Sequence, residues 1–580
     1  MTTLPVVIPP QVLRPVVYRA LTKKYGLAIK LDGLQELAKY IGSSYGAQWK
    51  DEINPFLDTF AAQWRNDTCR GIFVDGVHVR QVLAELLEEV IVQSRSQDGI
   101  LENHQDLPVE DVWQCINTIQ QRRVPYNHWK KQFDSPANTS PPALKQDMFS
   151  TRYYITRDRS LRNAASLGAP FEFTEIKNFM GKDSQNFVVL GLLIMNNKGK
   201  WALEDPSGSI EIDISQCVPT PLSYYMPGCI VIAEGIYFTV GQTFHVTSMT
   251  HPPGEKRVDS QLALGNLDLV RATHLDKQRL IVLHEKEIEL DENEIILLGG
   301  ESMFLDQQNV HDALRKLFAK LEELPPYAII CFGSFFSKPV IPTSSNAIPS
   351  TTLYRKGFES LAVILEEFPE LVSSTKFVFV PGNNDPWKSM STLGMDGVLP
   401  MAPLPSLVTH KLERVLKQDI VWATNPCRIM YYSQEIFLVR DDLQQRLKVH
   451  DVSFPAIASS KDPHSGEEEG QYIDQLVKNP DQLPRELEQA RKLVKTVLDQ
   501  GHISPFVESI RPVDWEQDHT LMLFPAPTTL ILCDTTAPKL NLTYNGCKAI
   551  NPGSLIVNRK LKYSRYFPST RNCIEEEVLF

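Results

Sequence analysis

The chain has 580 residues, 42% of them hydrophobic, and a formal net charge of -11 from 59 basic and 70 acidic side chains. Its length suits about three to four domains. The acidic balance argues against duplex nucleic acid as the main ligand, because phosphate neutralisation needs a positive excess, although it leaves room for a local basic patch.

The first segment reads as helical. Val12, Leu13, Val16, Val17, Ala20 and Leu21 recur at helical spacing, and Gly26 offers a stop. A second run follows at Leu31, Leu34, Leu37, Ala38 and Ile41, and a third, VRQVLAELLEEVIVQ, starts at Val79. A small helical domain over residues 1–95 is expected. Residues 96–165 turn polar, with DSPANTSPP at Asp134–Pro142 and the basic run TRDRSLR at Thr156–Arg162. They read as a linker with local structure, the basic run solvated rather than bound to nucleic acid.

Residues 166–260 carry strand patterns. FVVLGLLI (Phe187–Ile194) is apolar and β-branched, and Ile210, Ile212 and Ile214 alternate with Glu211 and Asp213. Asp-Pro-Ser-Gly within Leu203–Ser209 is turn chemistry, and the strands CIVIAEGIYF and TFHVTSM follow. Short strands around this hairpin resemble an OB-fold β-barrel. Glu211, Asp213 and Glu234 on the strand faces favour a protein-packing barrel over a single-strand binder. His245 is expected to pack within its strand.

From residue 261 to 580 strands alternate with helices. EIILLG (Glu294–Gly299) precedes a helical run from Val310 to Leu324 that ends at Pro325–Pro326. YAIICFGS, a helix around Phe358–Phe368, and KFVFVPG follow. This reads as βαβ units on a largely parallel sheet, whose chemistry belongs in the loops after the strands. Those loops are Gly299-Gly300-Glu301-Ser302, Gly333-Ser334-Phe335-Phe336-Ser337 and Gly382-Asn383-Asn384-Asp385. The third resembles the GNHD motif of calcineurin-like metallophosphoesterases. The second stands where that family has GDxxD, and the first where it has DxH. That family holds two metals on the Asp, His and Asn side chains of these loops.

Here the pattern is degenerate. Ser334 and Ser337 replace the aspartates, Asn384 replaces the histidine beside Asn383 and Asp385, and Glu301 and Ser302 replace the first motif. LILCDTTAPKL, with Asp534, stands where GHxH is expected and has no histidine. Glu301, Asp306 and Asp385 read as loose loop carboxylates. The resemblance therefore implies an inactive phosphoesterase-type α/β sandwich with no catalytic residue, no metal and no cofactor. His502, just past an amphipathic helix, reads as structural.

Nine cysteines, none in a CxxC pair, argue for a reducing compartment and against a disulfide framework or a structural zinc site. No apolar run approaches the roughly 18 residues of a membrane span. MTTLPVVIPPQVLRP also lacks the features of a secretory signal.

An OB-fold directly before a ligand-stripped phosphoesterase domain resembles the B-subunits of the eukaryotic replicative DNA polymerases. The strings WALEDPSGSIEIDIS (Trp201–Ser215), VIAEGIYF (Val231–Phe238), FVFVPGNNDP (Phe377–Pro386), TNPCRI (Thr424–Ile429), LVKTVLDQGHISP (Leu493–Pro505) and NGCKAINPGS (Asn545–Ser554) lie nearest the epsilon branch. The helical N-terminal domain also resembles that branch. The stretch Lys461–Gln482 departs from the family as an acidic insertion expected to be mobile.

The resemblance implies a nuclear, non-catalytic scaffold in chromosomal DNA replication. It would bind the C-terminal zinc-binding module of the catalytic subunit of DNA polymerase epsilon. It would also reach the replicative helicase through GINS and share a complex with small histone-fold subunits, meeting DNA only indirectly or weakly. A single-strand-binding OB protein and an active metallophosphoesterase are the alternatives. Tyr224, Tyr225, Tyr563, Tyr566 and Phe567 are candidate exposed aromatics, though packing is the expected fate of each.

Overall fold

The computed structural model of the chain describes residues 8–45, 49–66, 73–76, 78–80, 82–83, 109–134, 145–166, 168, 171–179, 181–299, 303–339, 350–385, 397–417, 420–455 and 484–580. They fall into two compact units, Met1–Pro108 and Val109–Phe580. The insertion at 461–482 and the loop residues Glu301 and Ser302 lie outside the described residues, as does most of the run that starts at Val79.

The first unit is helical. Helix α1 (Pro10–Val17) widens into a π-helical turn over Tyr18–Lys24, and α2 (Leu31–Tyr45) and α3 (Trp49–Asn66) follow. Leu13, Val17 and Leu21 form the buried stripe with Leu34, Leu37, Ile41, Phe60 and Trp64. Val12 is 52% exposed, so the stripe is narrower than the sequence run.

The second unit begins earlier than expected. Strand β1 (Trp113–Asn117) and the 22-residue helix α4 (Lys145–Ser166) fall where a polar linker was anticipated. β1 pairs antiparallel with a strand more than 300 residues later, Cys427–Tyr431. The Arg152 and Arg159 side chains of α4 are buried; Arg152 pairs with Asp518, and Arg159 donates to the Asp499 carbonyl. Most of the polarity that read as solvated is paired internally, which a local pattern cannot display.

Strands β2 (Asn186–Met195), β3 (Trp201–Asp205), β4 (Gly208–Asp213), β5 (Ile230–Phe238) and β6 (Thr243–Thr250) form the OB-fold. They pair in a ring, β5-β2-β3-β4-β6 and back to β5. The β3–β4 turn is held by Asp205, whose carboxylate accepts from Ser207 N at 2.7 Å and Gly208 N at 2.9 Å on one oxygen and from Ile176 N at 2.9 Å on the other. His245 is a solvent-facing residue rather than a packed one: its side chain is 47% exposed and pairs with Asp213 at 3.0 Å. Period-2 alternation puts its neighbours Phe244 and Val246 in the core.

The remainder contains α5 (Lys277–Glu289), β7 (Ile295–Leu298), α6 (Gln308–Glu323), β8 (Ala328–Phe332), α7 (Ser350–Glu366), β9 (Lys376–Val380), α8 (Ser406–Leu416) and β10 (Ile420–Trp422). Then come β11 (Cys427–Tyr431), β12 (Gln434–Arg440), α9 (Leu443–Val449), α10 (Arg485–Gln500), β13 (Thr529–Cys533), β14 (Leu540–Tyr544) and β15 (Cys547–Asn551). The chain ends with β16 (Ile556–Val557), β17 (Lys560–Phe567) and β18 (Asn572–Leu579).

A seven-stranded sheet runs β10-β9-β8-β7-β17-β16 with β18 on β17, parallel from β10 to β7. A mixed six-stranded sheet runs β14-β15-β13-β12-β11-β1. The sheets meet face to face: Tyr566 Oη on β17 lies 2.7 Å from Thr529 Oγ1 on β13 and donates to Gln434 Oε1 on β12 at 2.9 Å. Tyr224, Tyr225, Tyr563 and Tyr566 are all buried and Phe567 half-buried, which removes them as exposed anchors.

The OB-fold and the sandwich share one hydrophobic core. It joins Phe187, Val189, Val231 and Phe244 of the OB-fold to Phe437, Leu530 and the Leu493, Val494 and Val497 face of α10. Burial of each such large side chain contributes roughly 1.5–3 kcal/mol. Polar bonds fix the register: Gln500 exchanges two 2.8 Å bonds with the Ile230 backbone, and Tyr224 N donates to Thr496 Oγ1 at 2.9 Å.

Candidate functional site

The loops after β8, β9, β12 and β13 converge at the carboxyl ends of these strands, where α/β sheets carry their sites. Two glycines permit the approach. A Cβ on Gly382 would stand 2.4 Å from the Gly333 carbonyl carbon, and one on Gly333 would stand 2.3 Å from Asp385 Oδ2. The β8 and β9 loops therefore lie backbone against backbone.

Within this cluster the side chains bond to one another. Ser334 Oγ accepts from Asn384 N at 3.0 Å, and Asn384 Nδ2 donates to the Phe336 carbonyl at 3.2 Å. Ser337 donates through N and Oγ to Asp306. Asp385 is not a loose loop carboxylate. It is 1% exposed and accepts from Phe335 N at 3.1 Å, Tyr354 Oη at 2.8 Å and Gly382 N. Burial lifts its pKa to about 6, against the opposing pull of those donors.

The centre of the cluster is an ion pair that none of the resembled motifs contains. Arg440, at the carboxyl end of β12, is 4% exposed. Its Nη1 donates to Asp442 Oδ1 at 2.7 Å and its Nε to the Gly333 carbonyl at 3.0 Å. Asp442 also accepts from Thr535 Oγ1 at 2.8 Å and from Asn383 Nδ2 at 3.1 Å. Asn425 is fully buried and ties the sheets together, donating to the Pro381 carbonyl at 3.0 Å and the Arg440 carbonyl at 2.7 Å. Asp534 is consumed by Gln444 N, Thr536 N and Thr536 Oγ1, each at 2.7 Å, and its burial raises its pKa.

These residues do not fit a two-metal centre. Each carboxylate at 306, 385, 442 and 534 already accepts from protein donors, and a guanidinium supplies the positive charge that metals would supply. Among the described residues no group of three or more His, Cys, Asp or Glu stands together as metal ligands. Of the positions singled out in the sequence, Ser334, Ser337, Asn383, Asn384 and Asp385 come together around these loops. Asp534 lies beside them, its neighbour Thr535 donating to the Asp442 that also accepts from Asn383, while Glu301 and Ser302 lie outside the described residues.

Sequence reading missed Arg440, Asp442 and Asn425. The available signal was Arg-Asp-Asp directly after the apolar run IFLV, since charge at the end of a buried strand needs a partner. His502 has the structural role expected of it: it is 3% exposed, bonds Asp518 at 3.2 Å, accepts from Ser504 N at 3.0 Å, and burial lowers its pKa. Gly501, at φ +65°, closes α10.

Comparison with known proteins matches these parts. Residues 295–540 match the family of DNA polymerase alpha/epsilon B-subunits. Residues 142–253 match the DNA polymerase epsilon subunit 2-like OB-fold domain. The DNA polymerase epsilon B-subunit of Saccharomyces cerevisiae is 40% identical over 99% of this chain and 99% of its own length. The Schizosaccharomyces pombe protein of the same name is 31% identical over 98% of this chain and 96% of its own. DNA polymerase epsilon subunit 2 of Mus musculus is 27% identical over 88% and 91%. With an OB-fold bonded into a sandwich whose loop cluster is locked by Arg440 and Asp442, and relatives matched from end to end, the chain belongs to the B-subunit family of DNA polymerase epsilon.

Proposed function

We propose that this chain is a non-catalytic accessory subunit of the DNA polymerase epsilon complex, acting in the nucleus in chromosomal DNA replication. The observation that carries this reading is the neutralised loop cluster. Its carboxylates are spent on Arg440 and on backbone donors, leaving a rigid platform rather than a reactive centre. In this reading the OB-fold (166–260) and the inactive phosphoesterase-type sandwich (261–580) grip the C-terminal zinc-binding module of the catalytic subunit. The helical module (1–95) links the polymerase to the replicative helicase through GINS. The small histone-fold subunits join the same complex, and DNA is met indirectly or weakly. Single-strand binding on the OB-fold is disfavoured because Glu211 and Asp213 hold the available Lys198, Lys200 and His245 on that face.

Co-expression with the C-terminal region of the catalytic subunit tests the reading. A stable one-to-one complex, with no bound Mn, Fe or Zn attributable to this chain and no phosphodiester hydrolysis by it, is the expected result. A chain that purifies only by itself would refute the scaffold, and stoichiometric metal with hydrolysis would restore the enzyme.

A further inference from the structure

A cavity of about 460 Å³ lies in the second unit, away from the β8, β9, β12 and β13 loops. It is bounded by the segment after β1, by α4, by the segment before α5 and by the turn before β13. Its size falls within the roughly 300–1,000 Å³ of small-molecule sites. Tyr126, Phe133, Tyr154, Trp515 and Phe524 supply aromatic walls. Tyr126 packs edge-on against Phe133 at 4.9 Å between centroids, and His128 stacks on Tyr154 at 4.4 Å.

The polar lining is incomplete. Gln121, Asp268 and Arg428 are each more than nine-tenths buried and line the cavity. Gln121 Nε2, Asp268 Oδ2 and Arg428 Nε have no hydrogen-bond partner. His519 Nε2 donates to the Gln121 carbonyl at 3.2 Å. Buried polar atoms left unpaired each cost about 1–3 kcal/mol, so they mark a place for a bonding ligand or water. Donors and acceptors both occur here among aromatic rings, which suits a planar heterocycle with both kinds of edge group and not a hydrocarbon. Arg122 and Arg123 stand on the same lining, exposed and half-buried, with no ion pair among the described residues. Two unengaged guanidinium groups beside the cavity suit an anionic appendage, phosphate above all.

We propose that this cavity binds a nucleotide, its base stacked between the aromatic walls and bonded by Gln121 and Asp268, and its phosphate held by Arg122 and Arg123. The same chemistry is offered by a free mononucleotide and by the terminal nucleotide of a single strand. This site is separate from the OB-fold strand faces and stands whether or not the chain is a scaffold.

Calorimetric titration of the purified full-length chain tests it, with each deoxynucleoside monophosphate, a short 5′-phosphorylated deoxyoligonucleotide and inorganic phosphate as probes. At least one mononucleotide or the oligonucleotide binds, and Arg123→Ala and Gln121→Ala each weaken it by about tenfold, the scale of one charge-assisted or buried hydrogen bond. Arg123 is half-buried and unpaired, so its variant keeps the parental melting temperature and reports binding alone. Tighter binding of the oligonucleotide assigns a strand end; tighter binding of a mononucleotide assigns the free nucleotide. No heat with any probe at millimolar concentration, binding unchanged in both variants, or inorganic phosphate binding as tightly as the nucleotides would each overturn the proposal.

Discussion

Arg440 decides the character of the loop cluster. Its buried guanidinium neutralises the half-buried Asp442 and caps the Gly333 carbonyl. Replacing it by Met leaves Asp442 without its countercharge; breaking a fully buried pair costs about 3–5 kcal/mol, and the partial exposure of Asp442 puts this one at or below the lower end of that range. Arg440→Met is expected to lower the denaturant midpoint accordingly, with no change in slope. Restoring family ligands alone is not expected to restore a metal site. Ser334→Asp with Asn384→His should bind no stoichiometric Mn or Zn by elemental analysis while Arg440 remains, because the cation occupies the region the ligands would face. Asp385 titrates within reach of ordinary buffers. Its folded-state pKa of about 6 exceeds the ordinary value of about 4, so between these pH values the folded chain holds a proton that the unfolded chain has lost. Stability contributed by this group is full at low pH, falls as pH rises to about 6 and is flat above. A carboxyl carbon resonance of Asp385 with a midpoint near 4 would disprove the burial assigned to it.

At the scale of elements, α4 and α10 carry most of the information that local pattern missed. The face of α10 was legible, because Ala490, Val494, Val497 and Leu498 repeat at helical spacing and all are buried. What it packs on was not: its Thr496 and Gln500 bond the OB-fold backbone at residues 224 and 230. Leu493→Ala is expected to cost about 2–5 kcal/mol and, by loosening the shared core, to make the OB-fold segment protease-sensitive. For α4, Arg152 is buried against Asp518 and His502. Burial works against ionised Asp518 and is the largest single influence, but the Arg152 charge, His502 and the hydrogen bonds from both together outweigh it and hold the carboxyl far below its usual range. Its stabilisation is therefore present above about pH 4 and is lost as pH falls below that. Asp518→Asn should destabilise by about 3–5 kcal/mol at neutral pH, read by thermal or urea unfolding.

The whole molecule is two compact units, and the second, Val109–Phe580, holds the OB-fold, both sheets and the strand β1 that precedes the OB-fold in the chain. A fragment of residues 109–580 is therefore expected to unfold cooperatively and to retain the polymerase's catalytic chain in co-elution. A fragment starting at residue 166 loses β1 and α4 and should aggregate. Strand and helix identity and the OB hairpin at Asp205 were readable in the sequence by itself, because period and turn chemistry are local properties of neighbouring residues. Tertiary structure alone decided that a polar stretch becomes a buried helix, that Asp385 is enclosed rather than loose, and that Arg440 pairs with Asp442 at the centre of the loop cluster. Each of these depends on a partner distant in the chain, and no local pattern records which distant charge will arrive to satisfy a buried one.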